Sequence, residues 1–373
     1  MTVEILPINI SNRRQVKKFV FFPFELYRNC AEWVPPLLSD AYGTLDPSHA
    51  AYRYAQADFF LALKEDKTVG RIAAFHNDRN DQYTGRKTAT FSFFDCVEDE
   101  QVSAKLFERV FEWALQRGLE EILGPRGLTN LDGSGVLVKG FEHRAALNMP
   151  YNFPYYDSFI YKAGFEKDSD SFSGYLPGNY ELSKKVEAIA EKVKVRRGLW
   201  IKSFTSKAEM RGWITRVADV ILRSFSLMPD FIPPSEEEIK AQADTLIAIT
   251  DPRLLKLVMS GDEVVGFVVS YHDLGPALQK SGGRLFPLGW YYILREQKRA
   301  NWVNINGLGL VPEHQRVGGD ALLFTELAKS IKSFGFKHAD IVMVNEGNFA
   351  SRSDMEALGV SWYKAHRNYK KKL

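Results

Sequence analysis

Cysteine is nearly absent. The 373-residue chain has two, Cys30 and Cys96, too few for a disulfide framework or a thiolate metal centre. A reducing compartment fits this, and no metal is expected. Long apolar runs are missing as well, since no stretch approaches the roughly 20 apolar residues that cross a bilayer. The segment Met1-Thr2-Val3-Glu4-Ile5-Leu6 lacks the basic residues and apolar core of a leader. The expectation is a cytoplasmic protein with no membrane partner. Excess charge of one sign is also lacking, with 49 Lys and Arg against 46 Asp and Glu and a net charge of +3. Apart from Lys370-Lys371-Lys372, which reads as a solvated tail, the basic residues are scattered, so no nucleic-acid partner is expected.

What remains is an ordinary globular composition. Hydrophobic residues make up 45% and charged residues 25%, enough to bury sizeable cores, and the length suits two domains. Periodicity and breakers predict a strand at 5–8, a helix at 12–22 stopped by Pro23, and a hairpin of 59–63 with 69–75. A strand at 90–94, a helix at 101–117 ended by Gly118, and a strand at 121–125 follow. Residues 126–154 are rich in glycine, asparagine and proline and read as a long loop, after which 155–163 suggests a short helix. A polar helix at 181–193 and the basic run at 194–198 read as a connector, which divides the chain into 1–197 and 198–373.

The second half repeats the first. Asp66-Lys67-Thr68-Val69-Gly70-Arg71-Ile72-Ala73-Ala74-Phe75-His76 lines up with Asp262-Glu263-Val264-Val265-Gly266-Phe267-Val268-Val269-Ser270-Tyr271-His272, and Ala163-Gly164-Phe165 lines up with Leu358-Gly359-Val360. The two registers agree to within one residue, which points to duplicated units.

The most informative stretch is 302–336. Val303, Ile305, Leu308 and Leu310 sit at strand spacing, and Gly307 interrupts the alternation as a bulge or splay would. Pro312 stops the strand. A glycine-containing turn then runs into a helix whose Leu323, Leu327 and Ile331 repeat at i, i+4 and i+8. The first N–H groups of such a helix point into the turn without intrachain partners and make a seat for an anion, diphosphate being the natural guest. The macrodipole adds about 0.3–1 kcal/mol per negative charge.

Gln315-Arg316-Val317-Gly318-Gly319-Asp320 resembles the Q/R-x-x-G-x-G/A signature of the GNAT superfamily of N-acyltransferases. The resemblance implies a mixed-sheet α/β (α+β) fold of two GNAT-like domains, each a central, mostly antiparallel twisted sheet flanked by helices. It implies that acetyl-coenzyme A, or another acyl-coenzyme A, is held by Leu308, Leu310, Gln315, Arg316, Val317, Gly318, Gly319, Asp320 and Ala321, with Asn348 near the pantetheine. The signature's last small residue is Asp320 here, which puts a carboxylate near the phosphates. The tyrosine that protonates the departing thiolate in many members is Met355 here, and Ile160 in the first half. Proton handling then falls to His272, Asn306 through a bound water, or Tyr363. The first-half counterpart of the turn, Asp95-Cys96-Val97-Glu98-Asp99-Glu100, has four acids and no glycine. It repels phosphates, so the N-terminal copy is expected to be degenerate.

The function implied is transfer of an acetyl or other acyl group to an amine, on a small molecule or a peptide, with residues 227–234 facing the acceptor. A non-catalytic acyl-coenzyme A sensor and a Fem-like aminoacyl transferase, which also pairs two such domains, are the alternatives.

Overall fold

The computed structural model describes residues 2–129, 132–226, 231–315 and 317–373. Its strands are, in chain order, β1 (Glu4–Pro7), β2 (Ala55–Lys64), β3 (Lys67–Asn77), β4 (Thr88–Cys96), β5 (Glu121–Gly124), β6 (Val136–Lys139), β7 (Glu166–Pro177), β8 (Leu199–Ser203), β9 (Leu255–Ser260), β10 (Glu263–His272), β11 (Trp302–Leu310), β12 (His338–Asn345) and β13 (Ser361–Lys372). The chain gathers into two compact units. One comprises Met1–Ser171, Gly275–Ile293 and Lys364–Leu373, and the other Phe172–Leu274 and Leu294–Tyr363.

In the first unit the strands run β1-β2-β3-β4-β5-β13, antiparallel except for the parallel pair β4 and β5. Residues on alternate positions enter different layers, as a period of two dictates. Phe60, Ala62, Ile72 and Ala74 join the core under the helix Glu100–Leu115, whereas Phe59, Leu61, Ala73 and Phe75 join the core under the helix Arg13–Leu26. The expected loop at 126–154 contains β6, which pairs with β13. The terminal lysines are not a free tail. Lys370, Lys371 and Lys372 pair with Leu123, Ile122 and Glu121 of β5, held there by the fully buried Tyr369 that precedes them.

Pro23 does not stop the first helix, which continues to Leu26. Proline lacks the N–H that would bond the carbonyl four residues back, normally a cost of about 3 kcal/mol. Here the freed Phe19 oxygen accepts a hydrogen bond from Arg71 Nη1 at 2.9 Å, so the defect is met by a donor from β3.

In the second unit the order is β7-β12-β11-β10-β9-β8, antiparallel from β8 to β11 and parallel between β11 and β12. Its core joins the sheet to the helices Lys184–Arg197, Ile214–Phe225 and Gly319–Phe334. The segment read as a connector is therefore part of this unit. Ala190 and Val193 are buried with Leu322 and Leu323, which moves the division well ahead of residue 197, and β13 returns its last residues to the first unit because they pair with β5.

The duplication is real at the level of backbone. The hairpins β2–β3 and β9–β10 match. Gly164 and Gly359 both close a helix in the left-handed region, at φ +87° and +79°, and the following residues bond back to Ile160 and Met355 in the same way. Only glycine adopts this corner without strain.

Candidate coenzyme and acceptor site

β11 is the strand on which the site is built. Its first residues pair with β12 from Trp302 and His338 to Ile305 and Ile341. Beyond Ile305 it has no register with β12, although it stays paired with β10 as far as Gly266 and Leu310. Gly307 sits at φ +99°, and the β10 register shifts opposite it, between Val268 and Ser270. A bulge of this kind bends a strand away from its neighbour and leaves peptide groups of 306–310 facing a gap.

The gap leads to the start of the helix Gly319–Phe334. Gly318 precedes it at φ +93°, and no side chain among the described residues caps it. The first bond back is from the Leu322 amide to the Gly318 oxygen at 3.3 Å, so the amides of Gly319, Asp320 and Ala321 form the unsatisfied terminus. Packing fixes this geometry. The Leu310 side chain wedges between two glycines, and a Cβ at Gly266 or Gly319 would lie 2.4 or 2.9 Å from its Cδ2. A Cβ at Gly318 would lie 2.6 Å from Val193 Cγ2 and 2.8 Å from Ile189 Cγ2.

The other residues of the expected coenzyme site divide. Leu308 and Leu310 pair with Val268 and Gly266, so their side chains serve packing and their backbone borders the gap. Gln315 is exposed and spends its Nε2 on the Leu310 oxygen at 3.0 Å. Val317 is half-buried and Ala321 buried. Arg316 lies outside the described residues. Asn348 is the cap of the helix Phe349–Ala357, its Oδ1 accepting from the Ser351 amide at 3.1 Å. Met355 is buried against Ile341, Val344 and Leu358. Asp320 has a neighbour that sequence reasoning did not find. Burial and then the Asp320 charge push the Asp354 carboxyl up to about 6.

The first unit shows how the same framework is closed. β4 leaves β5 after Thr90, and Phe93, at φ +52°, supplies the kink. Yet Asp99 caps the following helix, its Oδ1 accepting from the amides of Gln101 and Val102 at 2.9 and 3.4 Å, and Lys64 neutralises it at 3.0 Å. The anion seat holds the chain's own carboxylate. Tyr156 and Tyr155 cover the strand end, with Tyr156 Oη 3.1 Å from the Cys96 amide and Tyr155 Oη 2.8 Å from its carbonyl oxygen.

A polar patch lies on one face of β10, β11 and β12. Tyr271 stands opposite Asn304, and Asn304 opposite Asp340. All three are buried, at 1%, 2% and 3% exposure. Asn306, at the point where the strands part, donates from Nδ2 to Tyr271 Oη at 3.1 Å. Burial raises the Tyr271 phenol to about 12, with the charges of Asp340 and Asp273 adding to it and the Asn306 bond opposing it. At the other end of the same face Trp302 stacks on His338, their ring centroids 4.5 Å apart. His338 Nδ1 meets Tyr175 Oη at 3.0 Å, and Tyr363 lies edge-on to Tyr175 at 6.4 Å. A buried carboxylate beside a phenol and two amides is suited to accept and pass a proton.

Of the expected proton carriers, Asn306 and Tyr363 thus lie on this face, and His272 does not. It pairs with Val303, roughly 16 Å from Leu308 at ~3.3 Å per strand residue. Its ring packs between Phe334 and Phe336, and burial lowers its pKa. Sequence reasoning missed Tyr271, Asn304 and Asp340. The signal was polar side chains at every second position, 304 and 306 in β11 and 338 and 340 in β12, in otherwise apolar strands. Of the expected acceptor segment, residues 227–230 lie outside the described residues. Phe231 packs on Phe225, and Phe225 on Phe267, the side chain beside Gly307 and Gly309.

No family model matches the chain. Among curated proteins it is 26% identical over 375 residues to Protein YghO of Escherichia coli strain K12, covering 97% of this chain and 94% of that one. It is 25% identical over 381 residues to the bacterial ceramide synthase of Caulobacter vibrioides, covering 99% and 98%. Among solved structures, a tandem GNAT protein from the clavulanic acid biosynthesis pathway superposes with a TM-score of 0.59 at 12% identity, covering 100% of this chain and 98% of that one. A probable N-acyltransferase from Enterococcus faecalis V583 gives 0.51 at 8% identity, covering 100% and 72%. In fold the chain is similar to a tandem GNAT protein, and of its two units the first has a capped helix terminus and the second an open one.

Proposed function

We propose that the second unit transfers an acyl group from an acyl-coenzyme A thioester to an amine. The observation that carries this reading is the uncapped start of the helix Gly319–Phe334 beside a strand that has left its partner. The amides of Gly319, Asp320 and Ala321 take the diphosphate, and the pantetheine follows the gap toward Gly307. The amine nitrogen attacks the thioester carbon, a C–N bond forms, the C–S bond breaks, and the sulfur leaves as thiolate. Bulge amides stabilise the carbonyl oxygen as charge builds there. The acceptor's ammonium proton passes through the Tyr271 phenol, which Asn306 orients, to the Asp340 carboxylate, and the second proton, shed by the nitrogen as the C–S bond breaks, ends on the departed sulfur. Met355 donates nothing to the thiolate, but positioning alone supplies about 7–11 kcal/mol, and a thiolate departs without prior protonation.

Acetyl is the simplest acyl group for the reading. The full-length similarity to a protein called a ceramide synthase favours a second one, in which a fatty acyl chain is joined to a long-chain amino alcohol. Isothermal titration with coenzyme A, then a thiol-release screen, tests both. The screen pairs acetyl- and long-chain acyl-coenzyme A with small amines, peptides and long-chain amino alcohols. Tight coenzyme binding with no thiol release would replace catalysis by sensing. Transfer from aminoacyl-tRNA without coenzyme binding would favour the Fem-like alternative.

Two substitutions probe the seat. Gly318→Val forces a β-branched side chain into the left-handed region and against Val193 and Ile189, so the coenzyme dissociation constant rises at least about tenfold, or 1.4 kcal/mol. An unchanged titration would remove the seat. Asp354→Asn does the opposite. A carboxyl whose folded pKa is raised to about 6 is mostly neutral below that pH and charged above it, so its charge works against a polyanion at neutral pH. Removing it tightens binding at pH 7.5 by about two- to fivefold, the worth of ~0.3–1 kcal/mol for one charge near a helix terminus. The gain vanishes near pH 5. The same sign holds for stability, which this carboxyl supports below its unfolded pKa and withdraws as pH rises through 6.

A further inference from the structure

In the first unit, Gly275–Ile293 contributes a tip that projects apolar side chains into solvent. Leu285, Phe286, Leu288, Trp290 and Tyr291 are 37%, 78%, 53%, 48% and 47% exposed, a local concentration unlike the scattered single residues of an ordinary surface. The tip is a built feature. The Trp290 amide bonds the Leu285 oxygen at 2.9 Å and the Tyr292 amide bonds the Leu288 oxygen at 3.1 Å. Trp290 Nε1 donates to the Pro287 oxygen at 2.9 Å. Two glycines close its base. A Cβ at Gly289 would lie 1.6 Å from the Arg284 oxygen, and one at Gly283 would lie 2.1 Å from the Pro36 oxygen. The Leu38 amide then bonds the Gly283 oxygen at 2.9 Å, and Gln279 Nε2 donates to the oxygens of Ala31 and Trp33. The apolar side chains are therefore held outward by a braced loop.

A basic cluster formed by Arg284, Lys17 and Lys280 lies beside the tip, and the exposed Asp40 of the helix Leu38–Gly43 does not match it alone. The Arg284 guanidinium lies 5.7 Å from the Phe21 ring and Lys17 Nζ lies 6.0 Å from the same ring, which sets the outer face of the helix Arg13–Leu26 beside the tip. That helix presents Arg13, Arg14, Lys17 and Lys18 as exposed residues against one exposed acid, Glu25. Lys280 adds a charge 4.5 Å from the Tyr292 ring.

We propose that this tip docks the first unit on an anionic lipid bilayer, with Phe286, Leu288 and Trp290 entering the headgroup region and Lys17 and Arg284 lying against lipid phosphates. Aromatic side chains favour that interface, and basic residues beside an apolar surface are what an anionic leaflet attracts. The charge arrangement selects a bilayer over a second copy of the chain, since a two-fold contact through the tip would bring the basic rim onto itself. Among the described residues no helix is long and apolar enough to cross a membrane, so the contact is peripheral. It departs from the sequence-based expectation of no membrane partner, and it does not rest on the acyl-transfer reading.

The test is co-sedimentation of the full chain with vesicles of phosphatidylcholine alone or mixed with phosphatidylglycerol. The expected result is binding to the anionic vesicles only, weakened by salt. Phe286→Asp combined with Trp290→Asp reduces it at least about tenfold with the thermal midpoint unchanged. Lys17→Glu combined with Arg284→Glu, which leaves the apolar tip intact, weakens it to a similar degree. Failure to bind either vesicle overturns the proposal, as does binding that survives both pairs of substitutions. A concentration-dependent dimer, abolished by the Phe286 and Trp290 substitutions in the absence of lipid, assigns the tip to self-association instead and also overturns it.

Discussion

Asp340→Asn lowers kcat/KM by at least about 100-fold and leaves the coenzyme dissociation constant within about twofold of the wild-type value. The carboxylate is buried at 3% exposure in register with Asn304, and its charge reaches the Tyr271 phenol. An amine acceptor arrives as an ammonium ion and must lose a proton before it can attack. An amide of the same shape keeps the packing and hydrogen-bonding bulk but neither attracts the cation nor takes its proton. Tyr271→Phe, which removes the link to Asn306, costs about tenfold at the low end of general acid–base effects. The readout that separates catalysis from structure is the pH profile. The variant's deficit is largest where the acceptor is an ammonium ion and shrinks as pH rises above the amine's own pKa, whereas a merely structural loss is the same at every pH. A variant with unaltered kcat/KM on the amine identified by the screen would remove Asp340 from the mechanism.

Arg71→Met destabilises the first unit by about 3–5 kcal/mol, the usual cost of leaving one partner of a buried ion pair alone. Arg71 Nε and Nη2 bind Asp95 Oδ2 at 2.8 and 2.7 Å, and Nη1 supplies the Phe19 oxygen that Pro23 leaves unbonded. The guanidinium also lies over the rings of Phe19 and Phe93 at 5.0 and 5.3 Å. Beside the arginine, Asp95 Oδ1 accepts only from phenols, Tyr27 Oη at 2.9 Å and the more distant Tyr156 Oη at 3.4 Å, too little to hold a buried carboxylate. Removing the arginine therefore orphans a charge and a carbonyl together. Chemical unfolding followed by a probe in this unit, such as Trp113 fluorescence in a background of replaced tryptophans, should show the earlier transition. Arg71→Met combined with Asp95→Asn recovers part of the loss, because the stranded charge has gone. A cost below about 1 kcal/mol would mean that the network contributes little. The repeat places Arg71 where the second unit has Phe267, beside the bulge. One copy has turned the divergence of its strands into a buried polar network, and the other has kept it open.

Much of this protein was legible in the chain because the signals were local. Alternation over two residues determined the hairpins, and the glycines before Phe165 and Val360 marked matching left-handed corners. Gly318 ahead of an apolar helix repeat determined an open helix terminus, since that outcome depends on a few consecutive backbone dihedrals, whereas the four acids of 95–100 pointed only to repulsion and the cap made by Asp99 emerged with the fold. Tertiary structure decided the rest. Lys370 to Lys372 become strand because β5 offers them an edge, and Pro23 stays inside a helix because Arg71 reaches it from another strand. His272 and Tyr271 are neighbours in sequence, yet one is packed among phenylalanines and the other joins the polar face. A strand sends successive side chains to opposite sides, so which of the two joins the polar face was settled only by the pairing of β10 with β11. Asp340 becomes a candidate base in the same way, because only the pairing of distant segments buries it opposite Asn304 and within reach of the Tyr271 phenol's charge.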